Sequence, residues 1–138
     1  MIAFDTDVLS EFALNKPEIV ERVRQLPSAE IYLPIVVVEE MMRGRLDYIR
    51  RVQSRSNLSL PSAYLWLERS MALVKPFGIL PYSEAAHATY LSLAPLKLKT
   101  GTQDLRIASI ALAHNAKLVS RNRRDYELVP NLNLEIWS

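Results

Sequence analysis

The chain contains no cysteine, and only three glycines and two histidines stand among its 138 residues. Without cysteine there is no disulfide, no thiolate catalysis and no cysteine-based zinc site. Gly44, Gly78 and Gly101 are too far apart to form a glycine-rich phosphate-binding loop. The sequence also lacks a Gly-x-Ser-x-Gly nucleophile elbow, and neither His87 nor His114 has a second histidine at metal-ligand spacing. Carboxylates therefore remain as the main candidates for catalytic or metal-binding groups.

Long apolar runs are also missing. No stretch approaches the roughly 20 apolar residues that are needed to cross a bilayer. Residues 1–5 lack the basic start and the apolar core of a signal peptide. Hydrophobic residues make up 49% of the chain, which is enough for a core, and the length is typical of one domain. We predict a cytoplasmic, soluble protein without membrane association that folds as a single domain over residues 1–138.

The net charge is only +2, which does not by itself indicate a nucleic-acid-binding protein. The distribution of charge is more informative, because the segment 97–125 contains seven basic residues and only two acidic ones. A basic segment of this kind can supply phosphate contacts in an RNA site. A solvated helix end and loop would explain the same pattern equally well.

Apolar spacing predicts an alternation of strands and helices. Strands are predicted at 2–4, 31–33, 79–80, 117–119 and 132–136. Helices are predicted at 8–14, 17–26, 35–46, 60–74, 85–93 and 102–112, with Thr6 or Asp7 capping the first. The alternation indicates an α/β fold, a three-layer sandwich with a largely parallel central sheet. In such sheets ligands bind along the edge formed by the carboxyl ends of the strands.

Three carboxylates adjoin apolar runs, where their burial would require a partner. Asp5 follows the first strand, Glu40 lies within an apolar helix, and Asp104 precedes another. A buried carboxylate is costly, but Mg²⁺ or Mn²⁺ allows several to converge. The ordinary alternatives are a helix cap at Asp5, an ion pair of Glu40 with Arg43 or Arg45, and a favourable interaction of Asp104 with a helix dipole. Both interpretations stay open on the residues alone.

Four segments of the chain, taken together and in order, carry a family resemblance. They are Phe4–Leu9, Glu40–Gly44, Thr100–Ala108 and Leu118–Tyr126, followed by a closing segment, Leu132–Trp137. In this order they resemble the motifs of the PIN domain, as found in the VapC-type toxins of bacterial and archaeal toxin–antitoxin modules. The resemblance spans almost the whole chain. Each motif is weak alone, and the combination is fairly specific.

The resemblance implies a PIN-like metal-dependent endoribonuclease. It implies that four acids bind Mg²⁺ (or Mn²⁺) and carry catalysis: Asp5, Glu40, Asp104 and Asp125. Asn122 and Asp125 both fall in the segment of the fourth acid; we favour Asp125, with Asn122 as a supporting polar group. Thr6 and Ser120 would orient the carboxylates by hydrogen bonding.

The same resemblance implies a mechanism and partners. A metal-activated water would cleave RNA phosphodiester bonds, and four arginines would contact phosphates: Arg106, Arg121, Arg123 and Arg124. The implied partners are an RNA substrate and a cognate antitoxin, and a homodimer is expected. Apolar surfaces on the helices of residues 12–26 and 64–74 are candidates for these protein contacts.

Two alternatives remain. One is a PIN-like module that binds RNA or protein without cleaving anything. The other is an aspartyl-phosphate enzyme, because Asp5-x-Asp7 after the first strand also resembles a phosphatase nucleophile and its acid. That enzyme would require a lysine after a later strand, and Lys117 is poorly placed for the role.

Overall fold

The computed structural model describes residues 1–55 and 57–138 and contains a five-stranded sheet in the order β3-β2-β1-β4-β5, with every pair parallel. The strands are β1 Ile2–Phe4, β2 Ile31–Pro34, β3 Gly78–Leu80, β4 Lys117–Ser120 and β5 Leu134–Ile136. The helices are α1 Thr6–Ala13, α2 Pro17–Arg24, α3 Ile35–Gln53, α4 Leu60–Val74, α5 Glu84–Leu93, α6 Thr102–Ala113 and α7 Arg123–Tyr126. Helices flank the sheet, so the predicted α/β sandwich with a parallel sheet is confirmed.

The direction of strand addition changes between β1 and β4. The chain adds β2 and β3 on one side of β1 and then returns to place β4 and β5 on the other. Phe4 pairs with Val119 across β1 and β4, so Asp5 and Ser120 follow at the same sheet edge. Ligands of open α/β sheets bind at such a switch point, outside the carboxyl ends of the strands.

The core consists of apolar strand residues that are covered by helices on both faces. Phe4, Leu33, Leu118 and Val119 are fully buried, as expected for parallel strands. The helix predicted after Pro34 is present as α3, because its β-branched start contributes buried side chains to the core. A separate small cluster of Ile49, Val52 and Ala63 lies between α3 and α4.

Three local predictions need correction. Asp5 caps α1, and neither Thr6 nor Asp7 does so, because the helix already begins at Thr6. The last strand begins at Leu134 instead of residue 132. The short helix α7 was not predicted, since four residues are too few to show helical periodicity. No helix within the described ranges is long and apolar enough to cross a membrane.

Candidate active site

Asp5 occupies the switch point and is only 5% exposed. Its backbone N–H donates to the carbonyl oxygen of Val119 at 2.9 Å, which ties the end of β1 to β4. Its carboxylate accepts hydrogen bonds at 2.8 Å from the Thr6 backbone N–H, the Ser120 hydroxyl and the Tyr126 hydroxyl. These three hydrogen bonds fix the orientation of the Asp5 carboxylate. Since all three donors are neutral, no opposite charge lies beside it.

The pKa of Asp5 reflects this environment. Burial, reinforced by the charge of Asp7, raises the pKa to about 7, although the three hydrogen bonds act to lower it. Burial also raises the pKa of Asp7, whose Oδ2 accepts from the backbone N–H of Arg121 at 3.0 Å. The edge of the sheet therefore holds two neighbouring acids that are costly to ionise together.

Thr6 and Tyr126, which both donate to Asp5, also link it to acids on other helices. Thr6 Oγ1 donates to Glu40 Oε1 of α3 at 2.8 Å, and the Tyr126 hydroxyl lies 3.3 Å from Asp104 Oδ1 of α6. Burial raises the pKa of Asp104 to about 6, with the charges of Asp125 and Glu40 adding to the effect. The structure thus brings together carboxylates that are widely separated in the sequence.

The segment of the fourth acid contains both candidate residues. Asn122 Nδ2 donates to Asp125 Oδ2 at 2.6 Å, and the Asp125 carboxylate is near enough to raise the pKa of Asp104. Asn122 also donates from its backbone N–H to Ser120 Oγ at 3.0 Å. Asp125 is thus placed beside Asp104, with Asn122 as its hydrogen-bond donor, and its role as the fourth acid stays a prediction. We refer to Asp5, Glu40, Asp104 and Asp125 as the acid cluster.

The alternative considered for Glu40, an ion pair with Arg43 or Arg45, is not formed. Arg43 pairs with Glu39 at 2.7 Å, and the guanidinium of Arg45 lies over the ring of Trp66, 3.8 Å from its centroid. Within residues 1–55 and 57–138, no lysine or arginine forms an ion pair with any member of the acid cluster. The negative charge of the cluster is therefore not balanced by the protein itself.

The donor set of the cluster fits a hard divalent cation. Carboxylate oxygens are the ligands that Mg²⁺ and Mn²⁺ prefer. In the part of the chain that the structure describes, no three acids or histidines lie close enough to hold one ion together. Mg²⁺ does not require such a group, because it usually keeps several waters and binds through only one or two carboxylates.

The four arginines predicted to contact phosphate occupy different environments. Arg106 Nη1 donates to Gln103 Oε1 at 2.7 Å, and the Arg121 guanidinium forms an ion pair with Glu11. Arg123 and Arg124 are exposed at the start of α7, close to Asp125 in the chain. Among the described residues, Arg106 and Arg121 would have to give up a protein contact in order to bind phosphate, whereas Arg123 and Arg124 would not.

Sequence reasoning did not assign a role to Tyr126, and it considered Asp7 only as a helix cap or as the acid of the alternative phosphatase. Tyr126 is 1% exposed, and its hydroxyl bridges Asp5 and Asp104. The available signal was that a buried tyrosine usually finds a partner for its hydroxyl, and Tyr126 ends the fourth motif. Asp7 had a weaker signal, namely its position two residues after Asp5 at the end of a strand.

Comparison with curated proteins identifies ribonucleases as relatives. The chain is 27% identical over 137 residues to Ribonuclease VapC1 of Haemophilus influenzae strain R2866, covering 97% of this chain and 96% of that protein. It is 51% identical over 37 residues to Ribonuclease VapC2 of Rickettsia felis. The second match spans only 27% of this chain and 28% of the relative.

Solved structures with the same fold come from toxin–antitoxin complexes. VapBC2 of Rickettsia felis bound to a promoter DNA fragment matches with a TM-score of 0.74 and 25% identity, over 100% of both chains. VapBC-1 of nontypeable Haemophilus influenzae matches with a TM-score of 0.75 and 23% identity, over 99% of this chain and 98% of that one. The PIN domain family model matches residues 2–130, most of the sequence. The chain therefore belongs to the PIN domain family.

Proposed function

We propose that residues 1–138 form a single PIN-like nuclease domain, a metal-dependent endoribonuclease that is the toxin of a type II toxin–antitoxin system. One observation carries the proposal: Asp5, Glu40 and Asp104 are linked at the sheet switch point through the backbone N–H and hydroxyl of Thr6 and through the hydroxyl of Tyr126. No cation of the described protein compensates these acids. Membership of the PIN family and the similarity to proteins named ribonuclease VapC support it.

In this mechanism the acid cluster would hold Mg²⁺ or Mn²⁺. When bound, such an ion would lower the pKa of a water and would stabilise negative charge on the leaving oxygen. Ser120 and the backbone of Thr6 hold both oxygens of Asp5 by hydrogen bonds, so this carboxylate keeps one orientation. Tyr126 donates to Asp5 and Asp104 and fixes the spacing between them.

Exposed arginines would position the RNA. We propose that Arg123 and Arg124 contact phosphates directly, while Arg106 and Arg121 exchange their contacts with Gln103 and Glu11 for phosphate. Reversing the charge of both Arg123 and Arg124 to Glu should weaken RNA binding and reduce its dependence on salt. The matched control is Arg50→Glu on the exposed face of α3, which should leave binding unchanged.

RNA cleavage tests the proposal. A labelled single-stranded RNA is incubated with wild type, Asp104→Asn or Asp47→Asn, each with Mn²⁺ and with EDTA. Asp47 is the matched control, because it is an exposed aspartate on α3 that pairs with Arg50, about two helical turns beyond Glu40 and outside the acid cluster. We expect cleavage by wild type and Asp47→Asn with Mn²⁺ only, and a loss of cleavage in Asp104→Asn.

The same assay separates the alternatives. A non-catalytic PIN-like module would bind RNA and would not cleave it under any metal. Equal cleavage by wild type and Asp104→Asn would show that the acid cluster is not the active site. Substitution of Asp104 should leave RNA binding in place, because binding rests on the arginines.

We propose that the antitoxin occupies an apolar groove between α1, α2 and α4. The groove has a volume of about 560 Å³ and is lined chiefly by Phe12, Val23, Leu26, Leu73 and Phe77. A groove of this kind suits the apolar face of an amphipathic helix. Leu73→Glu should prevent co-purification with the small protein encoded by a neighbouring gene. Leu91→Glu, on the exposed face of α5, is the control and should not.

We further propose a homodimer and a cytoplasmic location. Exposed apolar side chains outside the groove, such as Leu46 and Leu96, are available for contact between subunits. Sedimentation at increasing protein concentration should show a dimer. A protein that stays monomeric throughout would contradict this part of the proposal.

A further inference from the structure

A second pocket is lined by side chains of α3, α5 and α6, and α3 and α6 also carry Glu40 and Asp104. It has a volume of about 340 Å³, and Glu39 and Arg106 both line it. Glu39 directly precedes Glu40 on α3, and Arg106 lies two residues after Asp104 on α6. Gln103 Nε2 donates to Glu39 Oε1 at 3.0 Å, so a pocket side chain is bonded to the residue that precedes Asp104. The pocket therefore adjoins the turns of α3 and α6 that carry Glu40 and Asp104.

The wall of this pocket is an aromatic array. The rings of His87 and Tyr90 are nearly parallel, at 9°, with centroids 6.3 Å apart. The Tyr82 hydroxyl is hydrogen-bonded to His87 Nδ1 at 2.9 Å, and the Arg106 guanidinium lies over the Tyr90 ring, 5.7 Å from its centroid. Aromatic faces and guanidinium planes are the surfaces on which unpaired RNA bases stack.

Tyr82 and Tyr90 pack against the edge of the core without being fully buried. His87 is exposed, and Tyr82 and Tyr90 are half-buried, so ring surface remains available to a ligand. The contacts among them hold the rings in place before any ligand arrives, which lowers the entropic cost of binding. The one acid in the wall, Glu39, is paired with Arg43 at 2.7 Å and repels a nucleic acid less than a free carboxylate would.

We propose that the Tyr82, His87, Tyr90 and Arg106 pocket is a base-binding subsite, which stacks one nucleobase of a single-stranded RNA next to the phosphate held at the acid cluster. The proposal rests on the proposed ribonuclease function and adds to it a site for a base. It predicts that affinity depends on the base as well as on the phosphates. Arg106 would then serve the base pocket as much as the phosphate backbone.

The test compares RNA with and without bases on the same backbone. An unstructured RNA oligonucleotide and its fully abasic counterpart of equal length are titrated into Asp104→Asn protein, which should not cleave either one. One stacked base contributes roughly 5- to 150-fold in affinity. We expect the intact RNA to bind tighter by a factor in this range, and Tyr90→Leu in the same protein to remove most of that factor. Binding of the abasic chain should not change.

Two further variants keep the result interpretable. His87→Ala alters an exposed ring, so it should reduce the base-dependent factor even if Tyr90→Leu disturbs packing. Tyr64→Leu removes an exposed tyrosine of α4, outside the pocket, and should leave both affinities unchanged. Intact unfolding transitions in all variants establish that they are folded.

Each result has a distinct meaning. Equal affinity for intact and abasic RNA, or a base-dependent factor that survives both pocket variants, overturns the subsite. A shift from dimer to monomer on Tyr90→Leu with unchanged RNA binding also overturns it and assigns the pocket to a subunit contact. Base-dependent binding that is lost in the pocket variants, in a wild type that never cleaves RNA, would support the subsite and contradict the nuclease proposal.

Discussion

The acid cluster and the contact between α3 and α4 each contain a buried charged side chain, Asp5 and Arg45. The two side chains differ in the partners that stabilise their charge. Arg45 is 9% exposed, lies over the ring of Trp66 and donates from Nε to Ser70 Oγ at 2.7 Å. Ser70 in turn donates to the Trp66 carbonyl oxygen at 2.8 Å. The flat, weakly hydrated guanidinium is well suited to an aromatic face, so the arginine is stabilised without an acid.

Asp5 is buried to a similar degree but has only neutral donors, and its nearest charged neighbour, Asp7, has the same sign. Its raised pKa shows that ionisation is opposed in the protein alone, because desolvation outweighs the hydrogen bonds. The comparison indicates that Arg45 already has the partners that it needs within the protein. The acid cluster would be completed by a cation.

A large loss of stability is expected when the buried guanidinium of Arg45 is removed. Arg45→Ala should lower the free energy of unfolding by about 2–4 kcal/mol, because it removes a desolvated cation–π contact and a charged hydrogen bond. Chemical denaturation measures the change. Arg50→Ala, at an exposed position on the same helix, should change stability by less than about 0.5 kcal/mol. Equal losses in both variants would contradict the structural role of Arg45.

The next effect concerns the pH dependence of the acid cluster. The folded pKa of Asp5, about 7, lies above the ordinary value of 3.8, so the folded state holds this proton more tightly. Stability in EDTA should therefore be fully present below pH 3.8 and should fall as pH rises toward 7, by at most about 1.4 kcal/mol per pH unit from this group. Asp5→Asn should flatten the decline. An unchanged slope would mean that Asp5 ionises freely.

A smaller effect is expected at the hydroxyl that joins the acids. Tyr126→Phe removes the donor shared by Asp5 and Asp104 and should cost about 1–2 kcal/mol of stability. It should also raise the Mn²⁺ concentration needed for half-maximal cleavage by about tenfold, since groups that orient metal ligands have effects of this size. A stability loss with unchanged Mn²⁺ dependence would reduce Tyr126 to a packing role.

The smallest effect is expected at Gly44, where a substitution tests whether this glycine has a functional role. Gly44 is exposed inside α3, and a Cβ added there would meet nothing within 4 Å. Gly44→Ala should therefore stabilise the protein by about 0.5–1 kcal/mol through its helix propensity. Cleavage should be unchanged. A stabilised variant with impaired cleavage would show that RNA or a partner approaches the backbone at this position.

The sequence predicted the parallel sheet well, because its apolar strand segments and helical spacings are local signals. It also selected Asp5, Glu40 and Asp104 as candidates, since each stands at the end or on the face of a predictable element. The prediction that they converge followed from the rule that the carboxyl ends of parallel strands form the binding edge. The Asp5–Thr6–Glu40 connection shows this convergence in the structure.

Other features could not be read from local patterns. Tyr126 contacts Asp5 across 121 positions in the chain, and no periodicity signals such a pair. The choice among Asp5, Thr6 and Asp7 as the cap of α1 stayed open, because Asp and Thr both favour that position. The engagement of Arg121 by Glu11 likewise depends on the packing of distant segments. These contacts are set by tertiary structure.

Thermal unfolding of EDTA-stripped protein, measured as Mn²⁺ is added, tests the central claim that the acid cluster holds a divalent cation. A ligand at 100 times its Kd stabilises the folded state by about 2.7 kcal/mol. Wild type and the exposed control Asp47→Asn should therefore show the same clear rise in Tm with Mn²⁺. Asp104→Asn should show a much smaller rise. Equal rises in all three proteins, or no rise in wild type at any Mn²⁺ concentration, would contradict the account.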